Sequence, residues 1–104
     1  MRQIKAKAFD EERKVFTRAK LVENESSNWI DERGFPVVWY TGLNDRNGVE
    51  IYEGDIVQDK WNNCITQYME SGYYPFEYSG GGEMIAEESA VIGSIYENPE
   101  LMEK

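Results

Sequence analysis

The chain has 104 residues and a net charge of −9, with no histidine and one cysteine, Cys64. Without histidine, Ser-His-Asp and Cys-His catalysis in their usual forms are excluded, as is an ordinary zinc site of four nitrogen or sulfur ligands. The negative balance disfavours non-specific binding to nucleic acid or to anionic membrane surfaces, both of which need a basic face.

The length fits one domain, residues 1–104, able to bury about two-thirds of its unfolded surface without disulfides or metal. Hydrophobic residues make up 40% and aromatics 13% of the chain, a globular composition in which the rings supply core volume. No apolar run approaches the ~20 residues needed to span a membrane, and charge interrupts the first eighteen residues where a secretory signal would need an apolar stretch. A cytoplasmic protein is expected, with neither cofactor nor metal.

In chain order, Gln3 to Ala8 alternates, with Ile4, Ala6 and Ala8 on one face and Gln3, Lys5 and Lys7 on the other. Lys14 to Val22 alternates as well, and Asp10-Glu11-Glu12-Arg13 between them reads as a polar turn, so the spacing predicts an N-terminal hairpin. Lys5, Lys7, Arg18 and Lys20 would gather on its cationic face. Residues 1–20 carry a net charge of +4 and residues 55–104 a net charge of −8. That face is therefore either a solvated surface guarding a sheet edge or a docking face for the acidic C-terminal half, in the same chain or a neighbouring subunit.

Glu23 to Gly34 is polar, with Trp29-Ile30 as its apolar anchor, and reads as a loop or one short helical turn. Two β-rich runs follow, Phe35 to Tyr40 and Val49 to Tyr52. Between them Asp45-Arg46-Asn47-Gly48 has the pattern of a type I turn closed by a left-handed glycine. Gly54-Asp55 punctuates the chain before Ile56-Val57. Gly42 and Gly54 lack the following helix, Lys and Ser/Thr of a phosphate cradle, so they read as turn residues, and Asp55 as a turn cap.

Trp61 to Met69 reads as a strand, with Cys64 a buried, inert thiol. Tyr73, Tyr74, Phe76 and Tyr78 form an aromatic run in which alternation puts Tyr74, Phe76 and Tyr78 on one face. Such a run either fills the core or, because Pro75 favours an edge, presents partly exposed rings to a partner. Ser79 to Gly82 has the composition of a flexible loop. Glu83, Glu87 and Glu88 cluster without the spacing of a calcium loop and read as a solvated face. Glu83 to Ile95 gives one or two closing strands, and Asn98-Pro99 reads as a helix N-cap followed by proline at the first helical position. The expected fold is mainly β: a small barrel-like or sandwich domain built from hairpins, with a short C-terminal helix.

Two blocks carry a resemblance. The first comprises Tyr40-Thr41-Gly42-Leu43, Asn47-Gly48, and Glu50-Ile51-Tyr52-Glu53-Gly54-Asp55-Ile56-Val57. The second is Val91-Ile92-Gly93-Ser94-Ile95-Tyr96-Glu97-Asn98-Pro99-Glu100-Leu101. With the opening Met1 to Asp10, they resemble the YopX family of phage and prophage proteins. The resemblance implies a small, largely β protein carried by a bacteriophage or an integrated prophage, and it brings no catalytic residue. With catalytic groups absent and charge segregated, the expectation is a non-enzymatic protein-interaction module that self-associates and meets a phage or host protein. Its candidate interaction residues are Tyr73, Tyr74, Phe76, Tyr78, Lys5, Lys7, Arg18 and Lys20. The alternative is a nucleic-acid-related role, as an SH3-like binding module or an acidic DNA mimic.

Overall fold

The structure, a computed structural model, describes residues 5–69, 72–76 and 84–102. The expectations for Tyr78, for the Ser79–Gly82 loop and for Glu83 lie outside the described residues. Strand β1 (Ala6–Asp10) pairs antiparallel with β2 (Val15–Arg18) in a register running from Lys7 opposite Arg18 to Asp10 opposite Val15. Asp10 closes the intervening turn by accepting the N–H groups of Glu12 and Arg13, each at 3.0 Å.

The second arm stops short of the expected Val22. Strand β3 (Leu21–Glu23) leaves β2 and pairs with β4 (Trp29–Asp31), so the segment expected as a loop or helical turn is a second hairpin. Asn24 explains its closure. The Asn24 carboxamide oxygen accepts the N–H groups of Ser26 and Asn28, at 3.0 and 2.9 Å, so one side chain supplies the turn that propensity alone does not signal.

Strand β5 (Val37–Asn44) pairs with β1 on one side and with β6 (Glu50–Tyr52) on the other, giving the sheet order β2-β1-β5-β6. The β5–β6 turn is as expected. Asp45 Oδ1 accepts the N–H groups of Asn47 and Val49 at 2.8 and 2.9 Å, and the Gly48 N–H donates to the Asp45 carbonyl at 3.0 Å. Gly48 has φ of +79°, a backbone state that a side chain would strain.

A second sheet, in the order β11-β7-β8, joins β7 (Asp55–Gln58), β8 (Asn63–Ile65) and β11 (Ala90–Ser94). The expected single strand from Trp61 to Met69 divides at Thr66. There the backbone crosses Gly54-Asp55: the Thr66 carbonyl accepts the Gly54 N–H and the Thr66 N–H donates to the Asp55 carbonyl, both at 2.9 Å. Beyond that crossing β9 (Gln67–Met69) pairs with β10 (Gly72–Tyr74).

The fold is thus mainly β, with sheets curled as a half-barrel, while the expected C-terminal helix is only a 3-10 turn over Pro99–Met102. Asn98, expected as its N-cap, turns its side chain the other way. Its side chain lies over Gly93, where an added Cβ would stand 2.5 Å from Asn98 Oδ1. That oxygen faces the Ser94 N–H at 3.4 Å, so it is drawn back toward β11. No helix among the described residues is long and apolar enough to cross a membrane.

Two buried clusters hold the sheets together. One contains Ile51, Val57, Cys64, Tyr73, Phe76, Met84 and Ala86. The other contains Val38, Tyr40 and Tyr52, with Phe16 and Tyr96 packed against it. Cys64 is buried, as expected.

Candidate interaction surface

Residues directly opposite in an antiparallel pair point to the same face. Lys7, Phe9, Phe16, Arg18 and Val38 are therefore on one side of the first sheet. The expected cationic face is also a ring-bearing face. Lys7 Nζ lies 4.3 Å from the centroid of the Phe16 ring and 4.2 Å from that of Tyr52. Lys5 Nζ pairs with Glu50 and lies 5.4 Å from the Tyr40 ring centroid. The hydrogen bond to Glu50 raises the Lys5 pKa, and the same bond lowers that of Glu50. The carboxylate that meets Lys5 thus belongs to the central hairpin and not to the C-terminal half. Arg18 and Lys20 are exposed, and Lys20 lies past the end of β2.

The aromatic run is divided between core and margin. Tyr73 and Phe76 are buried, and Tyr74 is half-buried against the same cluster. Alternation ends after Tyr74 because the chain turns, with the Phe76 N–H donating to the Tyr73 carbonyl at 2.8 Å. Pro75, expected at an edge, is itself fully buried. Of the run's described residues, Tyr73, Tyr74 and Phe76 thus serve the core more than a surface, and outside the run Tyr68 is exposed and stands edge-on to Tyr73.

Glu87 and Glu88 are exposed on a 3-10 turn, Ala86–Glu88. Among the described residues, no three of Asp, Glu or Cys come close enough to hold a metal ion.

The β3–β4 hairpin presents exposed apolar side chains on both of its faces. Asp31 anchors its base from a buried position. Arg33 reaches back in a two-pronged contact, Nε to Oδ2 at 3.1 Å and Nη2 to Oδ1 at 2.9 Å. The Lys20 and Arg33 backbone N–H groups donate to the same carboxylate. The Arg33 guanidinium, followed by these backbone bonds, holds the Asp31 carboxyl far below the usual carboxylate range despite its burial. Arg33 also donates to Thr17 Oγ1 and to the Arg18 carbonyl, which ties the hairpin to β2. Beyond this anchor Val22, Trp29 and Ile30 are exposed, Trp29 by 55%. Register puts Trp29 opposite Glu23 on one face and Ile30 opposite Val22 on the other.

A second exposed tryptophan, Trp61, is 80% accessible in the β7–β8 turn. Asp59 shapes that turn by accepting the N–H groups of Trp61 and Asn62, both at 2.8 Å. Trp61 borders an open groove of about 480 Å³ lined by Arg46, Gln58, Asp59, Lys60 and Glu88. The Arg46 backbone N–H donates to the Ser89 carbonyl at 2.9 Å and sets the tip of the β5–β6 hairpin against this region. Arg46 and Lys60 are the sole basic residues between Arg33 and Lys104, and the fold brings them to one groove. Sequence reasoning identified neither the groove nor the hairpin face. The paired residues Trp29-Ile30 within a polar segment were the available signal for the hairpin.

The two resemblance blocks also meet in space. Val57 pairs with Val91 and Ile56 with Gly93 across β7 and β11, and the Gly54 carbonyl accepts the Ile95 N–H at 2.9 Å. The profile of the family described as YopX protein matches residues 2–103. The chain belongs to the YopX family. Among solved structures, the crystal structure of protein EF1440 from Enterococcus faecalis is similar in fold, with a TM-score of 0.70 and 24% sequence identity. The match covers 99% of this YopX chain and all of the other, and at that identity it speaks for the fold alone. No curated protein sequence matches the chain.

Proposed function

We propose that this YopX-family chain is a non-enzymatic protein-interaction module that self-associates. In this reading it is a phage or prophage protein that works in the bacterial cytoplasm, without a cofactor, on a phage or host protein. The observation that carries it is the β3–β4 hairpin. A two-stranded hairpin is marginal on its own. This one is held by the Asp31–Arg33 contact while leaving Val22, Trp29 and Ile30 in water. Covering the apolar area they still expose contributes about 25 cal/mol per Å², the kind of gain that drives association.

Two strongly perturbed carboxyls have roles in the fold, which supports a non-enzymatic reading. Asp31 is the hairpin anchor, and Asp55 accepts the Tyr52 N–H at 2.8 Å. A nucleic-acid role has less behind it, because Lys5 is engaged by Glu50 and Lys7 lies over two rings.

The test compares solution masses by light scattering for the natural chain and for Val22→Ser/Trp29→Ser/Ile30→Ser. The natural chain should form a species larger than the monomer, and the triple variant should shift toward monomer with an unchanged far-UV spectrum. Equal masses for the two would remove the hairpin as the interaction surface. Incubation with duplex DNA at low salt should give no gel shift.

A further inference from the structure

The hairpin and the Trp61 groove have complementary chemistry. Between Lys20 and Arg33 the chain carries Glu23, Glu25, Asp31 and Glu32 and no cation. Asp31 is held at the base by Arg33, so the outer part of the hairpin presents exposed Glu23 and Glu25 beside Trp29. Glu23 and Trp29 share one face, giving an acid next to an indole.

The groove presents the converse: two cations, Arg46 and Lys60, beside the exposed indole of Trp61. Of its two carboxylates, that of Asp59 already accepts the backbone N–H groups of its own turn.

We infer that the outer part of the β3–β4 hairpin of one copy docks into the Trp61 groove of a second copy. Trp29 meets Trp61 there, and Glu23 and Glu25 face Arg46 and Lys60. This inference rests on the self-association proposed above and names the two surfaces that meet. It joins unlike surfaces, so each copy offers both a donor hairpin and an acceptor groove. The charged pairs set register and partner choice, and the indoles supply the desolvated centre.

Charge exchange tests it. Arg46→Glu/Lys60→Glu reverses the groove, and Glu23→Lys/Glu25→Lys reverses the hairpin; all four side chains are exposed, so the fold should survive, as far-UV spectra would verify. Sedimentation velocity should show each variant alone dissociating, with the association constant reduced about tenfold or more. An equimolar mixture should recover the assembly, because each variant's intact acidic or basic surface finds its complement. Unaltered assembly in both variants would overturn the groove docking while leaving self-association standing on another surface. Dissociation without recovery on mixing would likewise overturn direct contact between these charges. A natural chain that is monomeric at every concentration would overturn both the docking and the reading beneath it.

Discussion

The carboxylate of Asp45 accepts the backbone N–H of Val91, 46 residues further along the chain, at 2.9 Å. The same side chain closes its own turn through Asn47 and Val49. One residue thus forms the central hairpin and fastens it to the C-terminal strand. Burial pushes its carboxyl up, but the bonds from Val91, Val49 and Asn47 outweigh that and leave its pKa below the usual value.

Asp45→Ala should therefore destabilise the fold by about 2–4 kcal/mol, since bonds to a charged acceptor are worth roughly 1.5–3 kcal/mol and are not additive. Asp45→Asn should fall between, because an amide nitrogen cannot accept the N–H that one carboxylate oxygen takes. The depressed pKa makes the Asp45 contribution present above about pH 4 and lost as pH falls through the folded value. Urea unfolding at pH 7 measures the first two effects. An unchanged midpoint for the alanine variant would deny Asp45 this role.

Asp55 has the opposite sign. Burial raises its pKa to about 6, while the Tyr52 N–H and the nearby Lys7 act to lower it. A carboxyl with a raised folded pKa favours the native state below its unfolded value near 4, and that advantage is lost as pH rises through about 6. Asp55→Asn keeps an acceptor for Tyr52 and removes the cost of ionisation. The variant should be more stable than the natural chain at pH 8, by about 2–3 kcal/mol at most, and nearly equal to it at pH 4. Thermal melts across that range would reveal a pH-independent difference if ionisation of Asp55 is not the cause.

Arg33→Ala leaves Asp31 buried without its guanidinium partner. The loss of stability should be clear but smaller than for a fully buried pair, because the Arg33 side chain is 30% exposed. The loss should be concentrated in β3 and β4, seen as faster amide hydrogen exchange there than in β7 and β11. Uniform acceleration along the chain would contradict a local anchor.

Thr66 is fully buried, and among the described residues its hydroxyl oxygen has no hydrogen-bond partner. Its backbone groups provide the crossing with Gly54 and Asp55, and its side chain has no such function. Thr66→Val should be neutral or stabilising by up to about 1 kcal/mol, because it removes an unsatisfied polar atom at nearly equal shape. A clear loss of stability in denaturant would show that the hydroxyl has a partner.

The elements that sequence reasoning located are those whose determinants are local. Asp45 to Gly48 and the strands beside it follow from turn chemistry within four residues. The 21–31 hairpin was not read although its Asn24 turn is equally local; its base depends on longer-range contacts, of Asp31 with the Lys20 N–H and of Arg33 with Thr17 and Arg18. Asn98 has the identity of a helix cap, yet its carboxamide lies over Gly93 on the preceding strand, a tertiary contact that the local Asn-Pro pattern does not reveal. Burial of Tyr73 and Phe76 depends on Met84 and Ala86 arriving from later in the chain. The groove is the extreme case, since Arg46, Lys60 and Glu88 lie on three separate segments.

Self-association of the natural chain is the central claim, and its mass in solution tests it most directly. Sedimentation equilibrium over a hundredfold range of concentration, at low and at high salt, should show assemblies larger than the monomer. Salt should weaken them, because charges contribute to the contact, without abolishing them, because apolar side chains contribute too. A single monomeric species at every concentration and salt would contradict the account.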